Sequence, residues 1–134
     1  MNKNNLAVTL YLFNSVLLIT HEIDSAFWEE WDLFGIPGGV QVFLLLNFLL
    51  VLVVLIGYKQ VLQNARSGNV FALLLAMAGI VGFSLHTYFV LTGHPEFTLP
   101  ASWVVLGVWL IGSLAQAVVT LKDWRVMSVP RRQN

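Results

Sequence analysis

Apolar residues fill four stretches of the chain: Leu6–Thr20, Val40–Tyr58, Val70–Thr92 and Ala101–Leu121. The segments between them are polar or rich in turn residues. The first stretch is short for a membrane span. At about 1.5 Å per helical residue it reaches about 22 Å, against a hydrocarbon core of about 30 Å. Nothing between Thr20 and Trp31 breaks a helix, so the first helix is expected to continue to about residue 27. It then carries His21, Glu22 and Asp24 at or just inside the membrane boundary. No small-x-small cleavage site follows Thr20, only HEID, so the segment is read as an uncleaved helix and not as a signal peptide.

Gly35, Pro37, Gly38 and Gly39 end the first helical region and form a turn. Lys59–Asn69 is a polar connector, and Gly93–Pro100 is a second turn carrying two prolines. The pattern predicts one domain over 1–134 with spans at about 6–27, 40–58, 70–92 and 101–121. It is an all-α integral membrane protein, an antiparallel four-helix bundle with short connections.

Spacing within the spans predicts which faces turn inward. In the first, Leu10, Asn14, Leu17, His21, Asp24 and Trp28 fall three or four residues apart. The second, almost wholly Leu, Val, Ile and Phe, is expected to be the most lipid-exposed. The third carries a mostly small-residue stripe at Ala72, Ala76, Gly79, Phe83 and His86, which favours close packing. The fourth carries a polar stripe at Ser102, Trp109, Ser113, Gln116 and Thr120.

Composition agrees. The chain is 57% hydrophobic and 10% charged, where a soluble domain usually carries about 25% charged residues. It has no cysteine, which removes disulfides and thiolate metal sites. The net charge of zero conceals a segregation. All seven basic residues (Lys3, Lys59, Arg66, Lys122, Arg125, Arg131 and Arg132) flank one side of the spans. The acids Glu22, Asp24, Glu29, Glu30, Asp32 and Glu96 lie on the other. The positive-inside rule then places both termini in the cytoplasm. Trp28, Trp31 and Trp103 are expected in an outer aromatic belt and Trp124 at the inner boundary. No basic patch outside the membrane flanks points to nucleic acid.

The candidate chemistry lies in His21–Trp31, HEIDSAFWEEW. His21 sits about 22 Å up the first helix and His86 about 24 Å up the third, so their depths agree. Ionisable groups at such depth usually face the bundle interior. His21, Glu22, Asp24, His86, His94 and Glu96 are therefore candidate metal ligands, under a lid formed by Phe27–Pro37. Imidazole and carboxylate suit zinc, iron or manganese. His21, Asp24 and Glu22 are also candidates for metal-free acid–base catalysis. Asn14, Trp28, Trp31, Trp109 and Ser113 are candidate ligand-pocket residues. Glu29, Glu30 and Asp32 read as a solvated face. Two plainer readings stand beside these: histidines that only hydrogen-bond across helices, and an interior path for ion- or proton-linked transport through Asn14, Trp109, Ser113 and Gln116.

The segments HEIDSAFWEEWDLFGIP and HTYFVLTGHPEF resemble a family of small bacterial four-helix membrane proteins of unknown function. The resemblance implies that His21, Glu22, Asp24, Glu30, Trp31, His86, His94, Pro95 and Glu96 are family positions. It implies a bacterial protein, expected in the cytoplasmic membrane, and no activity; the positive-inside orientation puts the His- and acid-rich loops outside. An analogy at the level of fold alone reaches small membrane isomerases of the sterol-isomerase type.

Taken together, the sequence predicts a small membrane protein whose outer-face pocket binds a divalent metal or a small, lipid-like ligand. A membrane enzyme, a small transporter and an accessory subunit of a membrane complex all fit, as does a homodimer.

Overall fold

Each apolar run is a helix in the computed structural model, which describes residues 3–94 and 98–128. The order is α1 (Lys3–Phe27), α2 (Glu30–Leu33), α3 (Gly39–Leu62), α4 (Arg66–Leu91) and α5 (Pro100–Ser128). Four of these are long and apolar enough to cross a membrane: Asn5–Phe27, Gly39–Leu62, Arg66–Leu91 and Pro100–Trp124. Their outer faces carry exposed Leu44, Phe48, Leu91 and Ile111, each more than 60% accessible. A surface so apolar is suited to lipid. The helices run past the polar residues at their ends, so the Lys59–Asn69 connector shrinks to residues 63–65. Lys, Gln and Arg are good helix formers, and polarity alone does not stop a helix.

The bundle is a square. α1 packs on α3 and α5, and α4 packs on α3 and α5. α3 and α5 occupy opposite corners, while the parallel diagonal pair α1 and α4 touch. That diagonal decides the site, because it sets His21 and His86 at one height on facing helices. α3 is the least buried of the four, as its composition predicts.

Between lipid-embedded helices apolar burial supplies little drive, so close packing and hydrogen bonds hold them. Asn14 Nδ2 donates to Gln116 Oε1, and Gln116 Nε2 donates to the Ala72 carbonyl at 2.7 Å, tying α1, α5 and α4. Tyr11 Oη donates to the Val54 carbonyl at 3.1 Å, tying α1 to α3. Gly79 lets α4 approach α5: a Cβ there would lie 2.1 Å from Ser113 Oγ and 2.9 Å from Trp109 Nε1.

The polar stripe of α5 is buried as expected, with Ser102, Trp109, Ser113, Gln116 and Thr120 all inward. On α4, Ala72, Ala76, Gly79 and His86 are buried and Phe83 is half-buried. The inward face of α1 differs from the expected row. It is Tyr11, Asn14, Leu18, His21 and Ser25. Both rows alternate steps of three and four and share Asn14 and His21, but the buried face is centred on the other side of these two residues, which brings Tyr11, Leu18 and Ser25 inward. Leu10, Leu17, Asp24 and Trp28 fall to its edges, half-buried.

Candidate functional site

α1 stops at Phe27, and the chain folds back over the bundle mouth. The Trp28 amide donates to the Asp24 carbonyl, and Glu29 takes a left-handed conformation at φ 52° that turns the chain aside. The single turn of α2 follows, closed by the Ile36 amide donating to the Trp31 carbonyl at 2.7 Å. Gly35, Gly38 and Gly39, all at positive φ, then reverse the chain into α3. The result is a lid whose inner side presents Glu30 and Trp31.

Glu30 is the first correction to the sequence reading. It was expected on a solvated face, yet it is 5% exposed and its Oε1 lies 3.0 Å from His86 Nε2. Were α1 straight, Glu30 would stand about 14 Å beyond His21, at about 1.5 Å per residue. The fold-back removes that separation. Glu29 and Asp32, its neighbours, are exposed as expected. Trp31 is the second correction. Instead of joining an outer belt it is buried, its ring 5.1 Å from Phe43.

His21, Glu30 and His86 form the centre. Each is buried and offers a ligand atom, and the three atoms lie within 4.8 Å of one another. The two imidazoles meet edge to face, with centroids 4.8 Å apart. His21 Nδ1 is buried without a hydrogen-bond partner among the described residues. His86 is oriented by the Gly82 carbonyl, 2.8 Å from its Nδ1. A carbonyl only accepts, so Nδ1 donates and the neutral ring carries its lone pair on Nε2. That lone pair faces a carboxylate oxygen at 3.0 Å. Two acceptors at this distance require a proton or a metal cation between them.

Trp109 forms the floor. Its ring centroid is 5.1 Å from that of His21, and the indole rests over Gly79 and Gly82 on α4. Above it a cavity of about 340 Å³ opens between the lid, α1, α3 and α4. His21, Glu22, Glu30, Trp31, Asn47 and His86 supply most of its polar wall. Among the described residues no Lys or Arg lines it.

The remaining candidates scatter. Glu22 lines the cavity beside the centre. Asp24 points to α5, where it accepts from Ser102 Oγ at 2.9 Å. His94 is exposed, its ring 5.3 Å from Phe89. Glu96 and Pro95 lie outside the described residues. Asn14, Trp109 and Ser113 are buried in the bundle interior beneath the cavity, and Trp28 stands outside it against Phe27. Asn47 of α3 is not among the candidates the sequence offers. The structure sets it on the cavity wall.

A family model matches residues 7–123; the family carries no description beyond one of unknown function (DUF6713). No curated protein and no solved structure matches the chain.

Proposed function

We propose that this chain, which belongs to the DUF6713 family, is a membrane protein holding a divalent metal ion between His21, Glu30 and His86. The observation that carries this reading is the approach of two acceptors, His86 Nε2 and Glu30 Oε1, with a third donor group alongside. Two imidazoles and one carboxylate are the donor set of catalytic zinc and of mononuclear non-haem iron centres. In a tetrahedral site with bonds of about 2.0–2.1 Å, ligand atoms stand about 3.3 Å apart. The 3.0 Å pair is close to that spacing, and the ligand atoms of all three residues lie within 4.8 Å of one another, so His21 would have to move closer to complete the set.

Charge supports the same reading. Glu22 and Glu30 line a cavity with no basic side chain other than the two histidines. A desolvated carboxylate stays charged only beside a counter-charge, and a divalent cation would balance buried Glu30 and half-buried Glu22 together. The Gly82 carbonyl accepts from His86 Nδ1 and fixes the ring, as backbone carbonyls do for metal-bound histidines. His21, Glu30 and His86 all line the cavity, so an ion held there would activate water or polarise a ligand oxygen. This arrangement suits a membrane enzyme. Zinc, iron and manganese all fit the donors. Below the centre, Asn14, Ser113, Gln116 and Thr120 are neutral, which favours a closed site over conduction. The asymmetry of Lys and Arg supports an orientation with the site end outside, in the outer half of the membrane; a bacterial cytoplasmic membrane is what the family resemblance implies.

The test is thermal. An ion that binds only the folded state stabilises it, by about 2.7 kcal/mol at a hundred times its Kd. Zinc, manganese or ferrous iron added to chelator-stripped protein should raise the melting temperature, saturating at one ion per chain, with the effect lost in His86→Ala. No shift with any of the three ions contradicts the reading.

A further inference from the structure

A second cavity, of about 260 Å³, lies between α1 and α3. Leu18, Ile23 and Ala26 line it from one side, and Leu44, Val51 and Val54 from the other. Both helices are membrane-spanning, so the cleft flanks the hydrocarbon. From Leu18 to Ala26 its wall runs about 12 Å at about 1.5 Å per residue. Its wall carries only two residues that hydrogen-bond through a side chain, Glu22 and Asn47, and both also line the cavity of the metal centre. Phe43 and Leu50 are shared as well. The two spaces therefore meet at a polar junction, with an apolar cleft on one side and His21, Glu30 and His86 on the other.

We infer that the ligand of this site is a single-chain amphiphile with an uncharged hydroxyl head. Its chain lies in the α1–α3 cleft and its head sits at Glu22 and Asn47, facing the centre. The inference rests on the metal reading for the choice of head. A divalent ion is already balanced by Glu22 and Glu30, so a neutral head keeps the site neutral. A carboxylate or phosphate head would meet Glu22 with no Lys or Arg lining either space. An ammonium head would meet the metal. A hydroxyl donates to the Glu22 carboxylate and leaves an oxygen lone pair for the open coordination position. The cleft's apolar lining takes the chain, because an alkyl tail entering sideways from lipid needs no passage through water.

Photo-crosslinking in phosphatidylcholine nanodiscs tests this. The probes are hexadecanol and hexadecanoate, each carrying a diazirine near the chain end. Hexadecanol should label Leu18–Ala26 and Phe43–Val54, and excess unlabelled hexadecanol should compete. Like-charge contact costs several kcal/mol, so hexadecanoate should label these peptides at least about tenfold less. Val51→Trp and Ala26→Phe, which fill the cleft from opposite helices, should abolish the labelling while metal content stays at wild-type level.

Labelling spread over all outer helix faces, or equal labelling by the two probes, overturns the inference. So does labelling that survives both cleft-filling variants. If those results come with metal still bound, only the ligand assignment falls. Selective, competable labelling of a protein that binds no metal supports the cleft and its Glu22–Asn47 end, and removes the metal reading alone.

Discussion

Glu30 Oε1 stands 3.0 Å from His86 Nε2, with Glu30 on the lid and His86 near the far end of α4. This contact joins a four-residue helix to the bundle and closes the polar end of the molecule. Removing one partner of a buried pair leaves the other unsatisfied, at a cost of about 1–3 kcal/mol. Glu30→Ala should therefore lower stability by about that amount in metal-free protein, measured by thermal unfolding in detergent. Asp32→Ala, at an exposed neighbour, should change little.

The lid depends on its glycines. Gly38 sits at φ +98°, and a Cβ there would lie 2.3 Å from Val42 Cγ2. Gly35 sits at φ +62° with nothing within 4 Å. Gly35→Ala should incur only the left-handed backbone strain, about 1–2 kcal/mol. Gly38→Ala should cost more and also weaken metal binding, since the same turn positions Glu30. Paired measurements of melting temperature and metal affinity check both.

Close packing separates two glycines, Gly79 on α4 and Gly107 on α5. At Gly79 an added Cβ meets Ser113 Oγ at 2.1 Å and the Trp109 ring at 2.9 Å. The hydroxyl can turn away, but the indole is locked beneath His21. Gly79→Ala should cost about 1–3 kcal/mol, as overpacking does, and Ser113→Ala should relieve only part of it. Gly107→Ala, with nothing within 4 Å, should be neutral or slightly stabilising. Melting temperatures of the four proteins decide this.

The deep polar bridge should matter modestly. Gln116 accepts from Asn14 and donates to the Ala72 carbonyl. Interhelical hydrogen bonds in membrane proteins average about 0.6 kcal/mol and reach about 1.7. Gln116→Leu should therefore cost about 1 kcal/mol by unfolding titration and leave metal content unchanged.

The bundle and half of the site are legible in the residues themselves. Four apolar runs give the spans, and the rise of an α-helix places His21 and His86 at matching depth, where the structure brings their rings together. The third ligand is not legible that way. Glu30 looks solvated because it follows Glu29 and precedes Asp32 near a turn, and because a straight helix would carry it away from His21. Only the left-handed break at Glu29 sends it inward. The signal that could have found it is that the resemblance implies Glu30 and Trp31 as family positions. Asp24 misleads for the opposite reason. It shares a helical row with His21, but three residues leave it about 60° around the helix from His21, and its carboxylate meets Ser102 on α5.

The central claim is a metal centre made by His21, Glu30 and His86, and elemental analysis of purified protein tests it most directly. Wild type should carry about one zinc, iron or manganese ion per chain when the metals are supplied. Glu30→Gln should lose it, while Asp24→Asn, at a carboxylate turned toward α5, should keep it. Folded wild type that takes up no metal, or an ion lost from Asp24→Asn and kept in Glu30→Gln, would contradict the account.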